Sequence, residues 1–142
     1  MSERQPPVAT ILRETGLPLE DTIVIGSGIL DKLGIREAHD IDVVVAPGVF
    51  AKLAGNAAFT KKSNAQGDYY EGPYELEVWE YWANPTSGEP VYYNDLLEHT
   101  ILIDSVRYVT LLYVREWKQA KGRPKDSQDI LLIDEYIRSH DV

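Results

Sequence analysis

Apolar residues fall in short blocks separated by glycine, proline and asparagine, and the spacing inside each block predicts its element. Val8, Ile11 and Leu12 recur at helical intervals, so residues 8–14 are expected to form a short amphipathic helix stopping near Gly16-Leu17-Pro18. Residues 22–25, Thr-Ile-Val-Ile, are β-branched and apolar throughout, which marks a buried strand. Gly26-Ser27-Gly28 breaks that strand, and residues 29–33 leave room for about one and a half helical turns before Gly34 as a C-terminal cap. Residues 40–46 predict a second strand, with Ile41, Val43 and Val45 on one face and Asp40 and Asp42 on the other.

Pro47-Gly48 ends this strand and opens a helix over residues 49–53. Residues 58–62 and 69–70 form two arms around the turn-rich residues 63–68. A third strand is expected over residues 74–82, followed by a loop at 84–88. Asn94 is a plausible N-cap for a short helix at 95–99, and residues 101–103 read as extended. Val106, Val109, Leu112, Tyr113 and Trp117 then make an apolar stripe at helical spacing, ended by Gly122. Pro124 and Asp126 start a last helix whose Ile130, Ile133 and Ile137 face inward. With strands mostly early and helices late, and no repeat or long linker, the class is α+β or mixed α/β in a single domain over residues 1–142, residues 1–7 being a loose lead-in.

Composition narrows the picture without redirecting it. At 142 residues, 44% of them hydrophobic and 26% charged, the chain can bury a real core. No apolar run approaches the roughly 20 residues that cross a bilayer. The first seven residues carry no apolar signal-peptide core, so a cytoplasmic location is the default expectation. With no cysteine, disulfides and thiolate metal sites are excluded. A net charge of −9 opposes extensive nucleic-acid binding, although a local basic cluster can still hold a nucleotide.

The candidate chemistry lies in the glycine turn and the strand after it. Asp40 and Asp42 point the same way, and like charges so close repel unless a cation sits between them. Oxygen ligands of this kind suit Mg²⁺. The bland alternative is a solvated acidic pair on a strand edge.

Ile25-Gly26-Ser27, a twelve-residue gap, then Asp40-Ile41-Asp42-Val43 resembles the signature of the DNA-polymerase-β-like nucleotidyltransferase superfamily. The family's third acid, on a later strand between hydrophobic residues, is matched by Leu76-Glu77-Val78. A second block, residues 117–126 followed by Asp129-Ile130, resembles the paired C-terminal helices of small prokaryotic members, including aminoglycoside-adenylylating and AbiEii-toxin-like proteins. The resemblance implies a small mixed sheet flanked by helices, with Asp40, Asp42 and Glu77 as catalytic acids holding two Mg²⁺ ions and a nucleoside triphosphate. It implies that Gly26 and Ser27 contact the phosphates, helped by the start of the following helix, and that Lys118 neutralises the β- and γ-phosphates. Arg36 pairs with phosphate or an acid, or lies on the surface. Glu75 and Glu80 compete with Glu77 for the third position, and Lys118 can instead be a surface lysine lying along its helix.

Lys125 and Asp126 read first as ties for the last helix, and His39 as a loop residue beside Asp40. Trp79, Trp82 and the tyrosines at 69, 70, 92 and 93 can stack on a base, but core and rim packing is the commoner use. The turn lacks the second serine of many relatives, and the third acid is Glu rather than Asp. The chain has no room for a large acceptor domain, so the C-terminal helices or a second subunit would supply that surface. The expected function is Mg²⁺-dependent transfer of a nucleoside monophosphate to a hydroxyl on a small molecule, a tRNA end or a protein. The alternatives are an inactive nucleotide- or partner-binding protein of the same fold, such as half of a toxin–antitoxin pair, and a metal-free structural domain.

Overall fold

The computed structural model describes residues 6–140. Most of the lead-in expected over residues 1–7 therefore lies outside the described residues. The class is mixed α+β: a seven-stranded mixed sheet with helices, ending in a C-terminal helix pair. Helix α1 (Val8–Glu14) precedes strand β1 (Thr22–Ile25), helix α2 (Gly28–Lys32), strand β2 (Ile41–Val45) and helix α3 (Pro47–Lys52). Strands β3 (Thr60–Asn64), β4 (Gly67–Gly72) and β5 (Leu76–Trp79) follow. A small separate hairpin, β6 (Tyr81–Ala83) and β7 (Pro90–Tyr92), then leads into α4 (Tyr93–Leu96). Strands β8 (Thr100–Ile103) and β9 (Val106–Val109) precede α5 (Leu111–Lys121) and α6 (Pro124–His140).

The sheet order is β3-β4-β5-β2-β1-β9-β8, with β2/β5 and β1/β9 parallel and the other pairs antiparallel. Every residue of β1 is buried, as its continuous apolar run requires of a central strand. The register sorts the side chains into two faces. Val24, Val43, Val78 and Tyr70 share one, where Gly28 packs against Val24 and Phe50 meets the Tyr70 ring edge-on at 5.2 Å. Helices α2 and α3 therefore cover that face. Ile25, Asp42 and Glu77 share the other.

Two expected elements differ from the structure. Residues 74–82 are not one strand: Tyr74 and Glu75 turn with φ of 61° and 57°, and the chain leaves the main sheet after Trp79. Glu75 therefore does not share a strand face with Glu77. Residues 106–109 form a strand, not the start of a helix. Val106 and Val109 are three apart, as on a helix, but β9 is an interior strand, and its adjacent Tyr108 and Val109, which point to opposite faces, are both buried, so alternation disappears. Strand β7 and its pairing with β6 are not expected from the sequence, and α4 is capped by Tyr92, with Asn94 inside it. The remaining differences are shifts of a few residues, among them β2 starting at Ile41 rather than Asp40, and α2 at Gly28.

The β8–β9 connection is a two-residue turn, with Asp104 at φ 50° and Ser105 at φ 69°. Both values are those of a type I′ hairpin turn, which favours glycine at its second central position. An L-residue there costs about 1–2 kcal/mol. Asp104 offsets some of this by pairing with Lys32 of α2. Ser105→Gly is expected to raise the melting temperature by roughly 3 °C in a thermal melt. An unchanged or lower value would mean that the left-handed turn carries no penalty.

Candidate functional site

Strand β1 ends at Ile25, and Gly26 turns the chain with φ 66°, a conformation glycine adopts freely. A Cβ on Gly26 would stand 3.4 Å from Asp42 Oδ2, so the turn lies directly against that carboxylate. Two residues on, a Cβ at Gly28 would overlap Val24 Cγ1 at 2.3 Å. The bare glycine therefore lets α2 start flush against the sheet. Ser27 stands between these glycines at the N-cap of α2, yet its side chain makes no capping bond.

What Ser27 does instead is accept from two cations. Arg36 Nη2 donates to Ser27 Oγ at 3.0 Å and Lys118 Nζ at 3.3 Å. Arg36 also forks onto Asp129, Nε to Oδ1 at 2.7 Å and Nη2 to Oδ2 at 2.8 Å. Lys118 Nζ lies 2.9 Å from Asp129 Oδ2 and 3.7 Å from Asp126 Oδ1. Arg123 closes the set, donating to Asp126 from Nε at 2.7 Å and Nη2 at 3.0 Å. Lys118 is 5% exposed, Asp129 4% and Asp126 0%, so Lys118 is not a surface lysine. For both aspartates burial pushes the pKa up, but the cationic donors outweigh it and leave each below the usual range.

The acids have the opposite environment. Asp42 is registered beside Glu77 on β5, and neighbouring strands run about 4.8 Å apart. No ion pair reaches Asp40, Asp42 or Glu77 among the described residues. Burial first, then repulsion from Glu77 and Asp40, pushes the Asp42 pKa up to about 7. Glu77 is raised by burial and by Asp40 and Glu71, with Trp79 opposing through an Nε1 bond to Oε1 at 3.4 Å.

A cleft of about 350 Å³ joins the two halves. Gly26, Ser27, Asp40 and Asp42 line it together with Arg36, Lys118, Arg123 and Lys125, and Trp82 and Trp117 add an aromatic wall. Those two rings stack at 4.8 Å, and the Arg123 guanidinium lies 5.4 Å from the Trp117 centroid. His39 also lines the cleft.

The structure thus brings together Gly26, Ser27, Arg36, Asp40, Asp42 and Lys118. It places Glu77 beside Asp42 but not among the cleft-lining residues. The expected three-acid metal set is not assembled: among the described residues no three acidic or histidine side chains are close enough to hold one ion. Glu77 is engaged by Trp79 instead. What the donor set does fit is a single hard cation on Asp40 and Asp42, completed by ligand and water oxygens, as Mg²⁺ commonly takes. Asp42, half-buried and with no ion-pair partner among the described residues, is the observation that favours this.

Arg123 and Asp129 belong to the second motif block but take no role from the sequence, and Asp126 reads there as a helix tie. A signal was available. Asp126, Asp129 and Ile133 recur at intervals of three and four, so both acids lie on the buried stripe of α6. Acids on an apolar stripe need buried cations. The chain matches no family model, no curated protein and no solved structure.

The Asp42 carboxyl generates a signed pH dependence. Between its ordinary pKa of 3.8 and the folded value of about 7, the folded protein holds a proton that the unfolded chain has released. Stability therefore falls as pH rises through that window and levels off above it. Asp42→Asn should remove this slope. Denaturant melts should find the variant more stable than wild type above about pH 8, by at most about 4 kcal/mol. A slope unchanged in the variant would place the titrating group elsewhere.

Proposed function

We propose that this chain is a magnesium-dependent nucleotidyltransferase that moves a nucleoside monophosphate from a nucleoside triphosphate to a hydroxyl acceptor, like the superfamily its motifs resemble. The observation that carries the proposal is the mixed charge of one cleft: its lining joins Asp40 and Asp42, carboxylates without counter-ions, to Arg36, Arg123 and the buried Lys118 beside a glycine–serine turn. Few ligands other than a metal-bound polyphosphate satisfy both halves. The cleft volume lies at the small end of the roughly 300–1,000 Å³ typical of ligand sites, which suits a phosphate chain held deep with its nucleoside toward the mouth.

In that reaction the acceptor oxygen attacks the α-phosphorus, a new P–O bond forms, the bond to the β-phosphate oxygen breaks, and pyrophosphate leaves. Asp40 and Asp42 would hold Mg²⁺, whose chemistry is to draw charge from the α-phosphate and the entering oxygen. Ser27 would donate to the departing phosphates, and the Arg36 and Lys118 charges behind it would counter their growing negative charge. Glu77, on the strand next to Asp42, would take the acceptor proton once its side chain leaves Trp79, and burial raises its pKa, the direction that makes a carboxylate a better base. The Trp82–Trp117 wall offers an apolar surface for the nucleoside.

A second reading has its own observation. With no three-acid metal set and Glu77 hydrogen-bonded to Trp79, the same cleft suits a protein that holds a nucleotide, or a partner through it, without turnover. Calorimetry with ATP and GTP, with and without Mg²⁺, beside a pyrophosphate-release assay over small-molecule, tRNA and protein hydroxyls, separates the two. The enzyme reading expects Mg²⁺-dependent binding, release with at least one acceptor, and loss of both on chelation. Lys118→Ala should weaken triphosphate binding at least about tenfold. Tight Mg²⁺-dependent binding with no release across the acceptor set would favour the binding protein, and no nucleotide binding would remove both readings.

A further inference from the structure

The hydrogen-bonding capacity of Ser27 is nearly spent. A hydroxyl has two acceptor lone pairs and one proton to donate. A serine at a helix N-cap ordinarily uses its oxygen to accept from its own helix, but Ser27 makes no such bond. Its lone pairs are taken by Arg36 Nη2 and Lys118 Nζ instead. What remains is the proton, on a residue that lines the cleft. Ser27 is thereby set as a donor, and a donor flanked by two cations recognises an anion.

The two cations are held in that pose by one side chain. Asp129 accepts both arms of the Arg36 fork and the Lys118 ammonium. We infer that Asp129, on the C-terminal helix, is a positioning residue: by clamping Arg36 and Lys118 onto the Ser27 oxygen, it fixes the serine as a hydrogen-bond donor to a phosphate chain. Its effect on binding passes through Ser27 and not through its own charge. Without it, Arg36 and Lys118 repel each other over Ser27, and the freed hydroxyl can turn back to accept from α2.

This rests on the proposed phosphate-binding cleft, and it predicts a sign that charge alone does not. Asp129→Asn removes a negative charge from beside an anion site, so Coulomb's law alone says that anions bind more tightly. Positioning says that they bind more weakly. Calorimetry with inorganic tripolyphosphate in buffer containing Mg²⁺ tests the phosphate grip of the cleft without chemistry. Asp129→Asn should weaken Kd roughly 10- to 100-fold, the range of a lost charge-assisted hydrogen bond. Made on top of Ser27→Ala, the same change should cost no more than about twofold, because coupled residues are not additive. A purely structural aspartate would cost as much in both backgrounds.

Asp129→Glu keeps the charge but displaces the fork, and it carries the same pair of measurements if Asp129→Asn fails to fold. Binding as tight as wild type or tighter, or a full-sized loss in the Ser27→Ala background, overturns the inference. Failure of the wild-type protein to bind tripolyphosphate overturns both the inference and the phosphate cleft. Binding by the wild type without pyrophosphate release in the transfer assay touches the enzyme alone and leaves the Asp129 comparison decisive.

Discussion

Lys118 and Asp129, two charges almost wholly removed from solvent, tie the C-terminal helix pair to a turn that lies some 90 residues earlier in the chain. A buried ion pair seldom adds much stability against an apolar pair of the same shape, but breaking one by removing a single partner costs several kcal/mol. The site depends on that asymmetry. Arg36, Lys118 and Arg123 meet Asp126 and Asp129, so one positive charge is left over in a protein whose net charge is −9. The surplus lies in the cleft, where an anion can use it. Arg36 supplies the third link, joining the loop after α2 to α6. Loop, turn and helix pair thus hold one another in place, and none of the three has an apolar core of its own at this point.

In the same cleft the molecule also tolerates the reverse. Asp42 sits in the second position of a strand whose other residues are all buried, next to Glu77 and near Asp40, with no cation in reach among the described residues. The sheet cannot relax this. Its register is set by Val43, Val44 and Val45, and a one-residue slip would turn those core side chains to the wrong face. The repulsion is therefore built in, and it is concentrated where the Gly26 backbone approaches the Asp42 oxygen. Local instability held by a rigid surround is common at functional sites. Here it has a chemical form: a place that a cation would stabilise.

The aromatic side chains divide between two tasks. Trp82 and Trp117 stack with each other and carry Arg123 on the outer ring, so the β6–β7 hairpin and α5 form one wall. Trp117 Nε1 adds a hydrogen bond to the Ala83 carbonyl at 3.2 Å. On the open side of the sheet, Tyr69 and Trp79 stack at 4.6 Å next to Glu77, and the Trp79 ring nitrogen holds that carboxylate. The first pair shapes the cleft. The second keeps the third acid out of it in the conformation seen here.

Much of the fold was legible because it is local. Helix α1 and strand β1 have the bounds their side-chain spacing implies, Gly122 ends α5 in the left-handed conformation, and Pro124 starts α6. Asp40, Asp42, Gly26 and Ser27 were legible as a group because alternation along a strand and a glycine bend are properties of a few adjacent residues. Strand β9 was not, since three-residue spacing of valines fits a helix until it is known that β1 and β8 pair with both its edges. Nor was the choice between a surface Lys118 and a buried one, because only packing tells where a long side chain ends. The amino-acid order by itself determined the turns, the acids and the amphipathic helices, each set by torsional and steric preferences within a few residues. Only the tertiary structure decided that Asp129 would sit on Arg36 and Lys118, and that Glu77 would turn to Trp79. Pairings between residues tens of positions apart depend on the closed shape of the molecule, to which no local preference refers.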